Sequence, residues 1–139
     1  MDLGLIKNYT AAAAILPRRI VKFAAAAGAV EQAAAATDTL IGVTGARGAA
    51  LPGDRIDVIF SGVVDVDFGG AIAQGDLVTT DATGAAVAAA RHTHTENTAA
   101  AYTQNATTSA ATGERIIGIA MVGGVAGDIG GILIAPGVA

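Results

Sequence analysis

The sequence predicts an all-β protein, a compact β-barrel or β-sandwich-like domain with an extended N-terminal arm and a long polar loop. Three observations predict it. Isoleucine and valine together number 25 against seven leucines, and branching at Cβ stiffens χ1 and suits a pleated surface better than a helix. Apolar and polar residues alternate from Ile56 to Phe68, the period of a strand with one face turned inward. Glycine-aspartate pairs recur at Gly53-Asp54, Gly75-Asp76 and Gly127-Asp128, each ahead of apolar residues, where turn residues start strands. A chain of 139 residues suits a single core.

Residues 1–17 lack a sustained period, and Pro17 holds Leu16 extended, so they read as an arm whose apolar anchors are Leu3, Leu5, Ile6 and Tyr9. The β-rich domain is expected over 18–139. Ile20 to Phe23 reads as a strand, Gly28 turns the chain, and Ala29 to Gln32 returns beside it. Residues 24–36 hold nine alanines and compete as a helix on propensity, but Gly28 interrupts them and no stripe of large apolar residues supports a helix. A helical turn over Ala33 to Thr37 fits both views. Leu40 to Thr44 is the next strand.

Pro52-Gly53 carries the signature of a type II turn. In the alternating segment Ile56, Val58, Phe60, Val64, Val66 and Phe68 share one parity, with Asp57, Ser61, Asp65 and Asp67 on the other. Unbroken, it would reach about 40 Å at roughly 3.3 Å per residue, too long for a small domain. Gly62 therefore marks a bend between two strands in phase. Leu77 to Thr80 and Ala85 to Ala88 form a hairpin whose turn opens on Asp81 and closes on Gly84. From His92 to Gly113 the chain is rich in Thr, Ala and Asn, a loop composition at a length typical of functional excursions. Strands resume at Ile116 to Val122 and Ile129 to Ile134.

The formal charge is -4 and the longest basic run is Arg18-Arg19, so a nucleic-acid partner is not expected. There is no cysteine, hence no disulfide, thiolate metal site or cysteine nucleophile. The first residues lack a basic stretch ahead of their apolar ones, so export is not expected. The tail from Ile116 carries Asp128 and many glycines. A mid-span Asp costs about 2.5 to 3.5 kcal/mol, so the tail reads as two buried strands and no membrane partner is expected. Charged residues make up 14% of the chain, against about 25% in average domains. The surface is thus predicted to meet other subunits.

No chemistry-bearing constellation emerges, and neither an enzyme nor a cofactor is predicted. His92 and His94 share one side of an extended segment, but no third ligand is tied to them by spacing. Asp65, Asp67 and Asp76 imitate the acids of a calcium loop without its fifth ligand. Gly118 to Gly124 has the glycine spacing of a phosphate loop without its Lys or Ser/Thr. Ser61 and Ser109 lack a nucleophile's context.

Arg19 to Phe23, Leu40 to Thr44, Pro52 to Val58, Gly75 to Gly84, Ile117 to Ala120 and Ala126 to Asp128, taken in order, resemble the capsid decoration, or cement, proteins of tailed bacteriophages. The resemblance spans nearly everything from Arg18 to Pro136 and rests on order and spacing. It implies a β-rich structural virion module, made in host cytoplasm and bound as a homotrimer to the major capsid protein outside an icosahedral head. The N-terminal anchors would then grip the shell. The alternative is a β-module of a phage fibre or tail that adheres to the host through the Thr/Asn-rich loop.

Overall fold

In a computed structural model, residues 4–90 and 114–138 are described. Leu3, His92, His94 and the expected polar loop lie outside the described residues. Those residues form ten strands and no helix: β1 (Ile6–Ala11), β2 (Ile20–Phe23), β3 (Ala29–Gln32), β4 (Leu40–Thr44), β5 (Arg55–Ile59), β6 (Val63–Asp67), β7 (Leu77–Thr80), β8 (Ala86–Ala88), β9 (Arg115–Ala120) and β10 (Ile129–Val138). The first five close into a barrel in the order β1-β3-β2-β4-β5. The last five make a sheet in the order β6-β10-β9-β7-β8.

Gly62, at φ +96°, is the corner between the two layers. The in-phase residues on either side of it serve different cores. Ile56 and Val58 fill the barrel interior with Val21, Val30 and Ile41. Val64, Val66 and Phe68 join a second core between barrel and sheet, with Ile20, Leu40, Val43, Ile117 and Ile132. Strands β2 and β4 are shared walls. A register shift between Val21 and Lys22 lets Leu40 and Val43, three residues apart, face the same core while Ile41 faces the other. Every residue of β4 is therefore buried, and each such aliphatic side chain contributes about 1.5–3 kcal/mol of transfer free energy.

The expected boundary at residue 17 differs from the structure. Residues Ile6 to Thr10 pair antiparallel with β5, while Thr10 and Ala11 pair in parallel with Ala29 and Val30 of β3. The segment read as an arm thus closes the barrel, and Tyr9 packs on its core. The cause is a misleading alternation. Lys7 and Tyr9 stand opposite Val58 and Ile56, so a lysine occupies an inward-parity position at the barrel mouth, and the outward Ile6 is the more apolar of the two.

The link from β1 to β2 ties barrel to sheet. Arg18, in left-handed conformation at φ +55°, accepts the Asp67 N–H at its carbonyl, 3.1 Å away. Its Nε lies 2.9 Å from Asp67 Oδ1, and Arg19 Nη2 lies 3.4 Å from Asp67 Oδ2. Charge-assisted bonds at partly buried sites contribute more than surface pairs. Asp67→Ala is expected to lower stability by about 1–2 kcal/mol, with Asp67→Asn in between, as read from urea unfolding. Unchanged midpoints would show the clamp to be idle.

Candidate interaction surface

The aspartate-glycine positions singled out in the sequence build turns. Gly53, Gly75 and Gly127 have φ of +90°, +90° and +91°, a region open to glycine. In each turn the following aspartate accepts, at Oδ2, the N–H three residues back: Leu51 to Asp54 at 3.1 Å, Ala73 to Asp76 at 2.9 Å, Val125 to Asp128 at 2.9 Å. Each glycine N–H donates to a neighbouring strand carbonyl, that of Ala11, Ala120 or Phe68, and the same residue's N–H returns to the aspartate carbonyl. One three-bond unit thus starts β5, β7 and β10. In the β7-β8 hairpin, Asp81 Oδ1 accepts from the N–H groups of Thr83 (2.8 Å) and Ala85 (3.0 Å), and Gly84 has φ +75°.

A further carboxylate-capped turn escapes the sequence pattern because it lacks glycine. Asp38 Oδ2 accepts from the N–H groups of Ala34 and Ala35, each at 2.9 Å, and lies 3.1 Å from Lys22 Nζ. Burial pushes the Asp38 carboxyl up, but the hydrogen bonds from Ala34, Lys22 and Ala35 and the lysine charge outweigh it and hold the group below its ordinary value. A depressed carboxylate contributes stability that is complete above its unfolded pKa and lost as pH falls through the folded one. Acidification below about pH 4 is therefore expected to destabilise the wild type more steeply than Asp38→Asn. Thermal midpoints measured at stepped pH values check this, and parallel curves would contradict it.

Two apolar surfaces remain unpartnered among the described residues. One is the barrel mouth, where Tyr9 meets Phe23 (ring centroids 6.2 Å apart) and Phe60 (5.9 Å), with Lys7 Nζ 5.6 Å from the Tyr9 ring centre. Phe23 is 53% exposed and Leu5 nearby 63%. The other is the outer face of the second sheet. Val63, Leu133, Ile119 and Leu77 pair in one row across four strands, and Ile129 and Met121 extend the face while exposed. Aromatic and aliphatic clusters of this kind mark protein contacts. Of the four predicted anchors, Leu5, Ile6 and Tyr9 lie at or beside the mouth, with Tyr9 partly buried. Phe23 and Phe60 carry no sequence motif that marks them as site residues. The available signal was the scarcity of aromatics, five in 139 residues, three of them here.

The groups considered for catalysis or metal binding have other engagements. Asp67 holds two arginines, Asp76 its turn, and Ser61 Oγ accepts the Leu5 N–H at 2.7 Å. Among the described residues, no three His, Cys, Asp or Glu side chains converge on a metal-sized site. No helix there is long and apolar enough to cross a membrane.

No known family and no curated protein matches the sequence. Among solved structures the chain is similar to the crystal structure of the head fiber gp8.5 N base in bacteriophage phi29. The TM-score is 0.54 at 19% identity, over 94% of this chain and 93% of that one. At that identity the likeness establishes a shared all-β fold along nearly the whole length of both.

Proposed function

We propose that this protein is a structural component of a bacteriophage virion, seated on the outer surface of the head, where it cements subunits of the major capsid protein. The observation that carries the reading is the fold shared, almost end to end, with the base of a phage head fiber. The barrel mouth and the apolar sheet face supply contact surfaces, and the proposed role needs no active site and no cofactor. Its work is mechanical. A packed genome pushes the shell outward, and bridges between neighbouring capsid subunits raise the barrier to rupture. A homotrimer would engage several subunits together, so each contact need only be modest in affinity.

Because that neighbour is the N base of a head fiber, the shared fold also supports a second reading, in which the domain anchors a fibre to the head without reinforcing it. One experiment separates the two. Heads lacking the protein are incubated with purified chain, imaged by electron cryomicroscopy, and challenged by heating. Exterior density at three-fold positions with a raised rupture temperature supports cementing, and density without added resistance supports the fibre base. Absence of head binding, or binding to host cells alone, overturns the head assignment.

A further inference from the structure

The barrel is incompletely zipped between β4 and β5. Their ladder holds only Val43 opposite Ile59 and Thr44 opposite Val58. Continued, it would place Gly45 opposite Asp57 and Arg47 opposite Arg55. Gly45 instead gives its carbonyl to the Arg18 N–H at 2.9 Å, and residues 45–48 swing away. Between them and β5 opens a cleft of about 500 Å³, lined also by Ile6, Asn8 and Ile59, within the range of ligand-holding sites.

Strand parity fixes which backbone groups face this cleft. Phe60 N–H donates to the Leu5 carbonyl and Ala11 N–H to the Asp54 carbonyl. Even-numbered residues of this strand therefore bond towards β1, and odd-numbered ones towards β4. Ile59 finds Val43 there. The last rung still sets Gly45 N–H against the Asp57 carbonyl, but among the described residues the Asp57 N–H and the N–H and C=O of Arg55 have no backbone partner on that side, so two N–H groups and one C=O group stand open. The two N–H groups are two residues apart, about 7 Å along the strand.

We propose that this cleft is a strand-docking site that accepts an extended, acidic segment of a partner protein, added as a short strand beside Arg55 to Asp57. Backbone pairing supplies the attachment, and charge selects the side chains. Arg47 and Arg55 flank the cleft against a single carboxylate, Asp57, whose Oδ1 already accepts from Asn8 Nδ2 at 3.0 Å. The site thus carries a net positive charge on a protein whose formal charge is -4. Complementary potentials of this kind steer and select partners. The proposal stands apart from the head assignment, and its test uses no phage particle, so either can fail without the other.

The free protein is followed first by amide hydrogen exchange in NMR. The Arg55 and Asp57 amides are expected to exchange about a hundredfold faster than those of Ile56 and Val58 on the same strand, and equal protection would show the edge closed and overturn the proposal. The probe is a capped peptide of about eight residues, alternating valine and threonine around two glutamates. Its addition is expected to shift resonances of Gly45 to Gly48 and to slow exchange at Arg55 and Asp57. Arg47→Glu is expected to weaken binding about tenfold. So is Gly45→Phe, whose Cβ would meet nothing nearer than Ile59 Cδ1 at 4.0 Å; unchanged thermal midpoints verify that both variants fold. No shift at about 5 mM peptide, or equal binding of the counterpart with lysines for glutamates, overturns the assignment.

Discussion

Gly118→Val is expected to lower stability by about 3 kcal/mol and the thermal midpoint by about 10 °C. Gly118 lies in β9, where a Cβ would run into the Leu133 carbonyl of β10 and reach within 3.1 Å of Ile132 Cγ2. The obstacle is backbone inside a ladder, so it cannot swing aside as a side chain would. Relief requires parting β9 from β10, the centre of the second sheet. Gly53→Ala is the control: nothing lies within 4 Å of its Cβ, and the cost is the left-handed φ alone, about 1–2 kcal/mol. Circular dichroism melts of both variants check the order. A Gly118→Val midpoint within a degree or two of Gly53→Ala would show that the ladder yields at that point.

The all-β class and most strand positions were legible because they rest on local signals. Ile56 to Phe68 shows its period in one stretch, and the Gly-Asp turns announce β5, β7 and β10 through residues that are adjacent in sequence. What escaped depends on partners far away. Lys7 at an inward position hides the parity of β1, since a residue at a barrel mouth keeps its ammonium in solvent while sharing a face with Tyr9. The same alternation in β5 and β6 feeds two separate cores, and period alone carries no label for which core a face meets. Asp38 builds the same carboxylate-capped turn as Asp54 without a glycine to advertise it. The candidate contact surfaces were fainter still. Tyr9 and Phe23 belong to different strands and Phe60 follows the end of β5, and the open edge at Arg55 and Asp57 exists only because Gly45 turns aside to Arg18. Neither has a sequence motif.

Ile20→Ala is expected to cost about 3 kcal/mol, and its form of unfolding bears on whether barrel and sheet are one unit. Ile20 is fully buried, sits on the shared wall β2, and belongs to the core between the two layers. Its N–H donates to the Gly84 carbonyl, and its own carbonyl accepts the Ala33 N–H, so the backbone there already joins the β7-β8 turn to the barrel. Val30→Ala provides the comparison: equally buried, it faces the barrel interior alone. If the layers fold together, both variants shift one cooperative transition, the isoleucine variant further. In a Tyr102→Phe background, which leaves Tyr9 in the barrel as the one tyrosine, tyrosine fluorescence should then change in step with far-ultraviolet ellipticity, which reports both sheets. Separation of the two signals in Ile20→Ala, with the barrel probe left at its wild-type midpoint, would mean that the barrel stands alone and the second sheet merely docks on it.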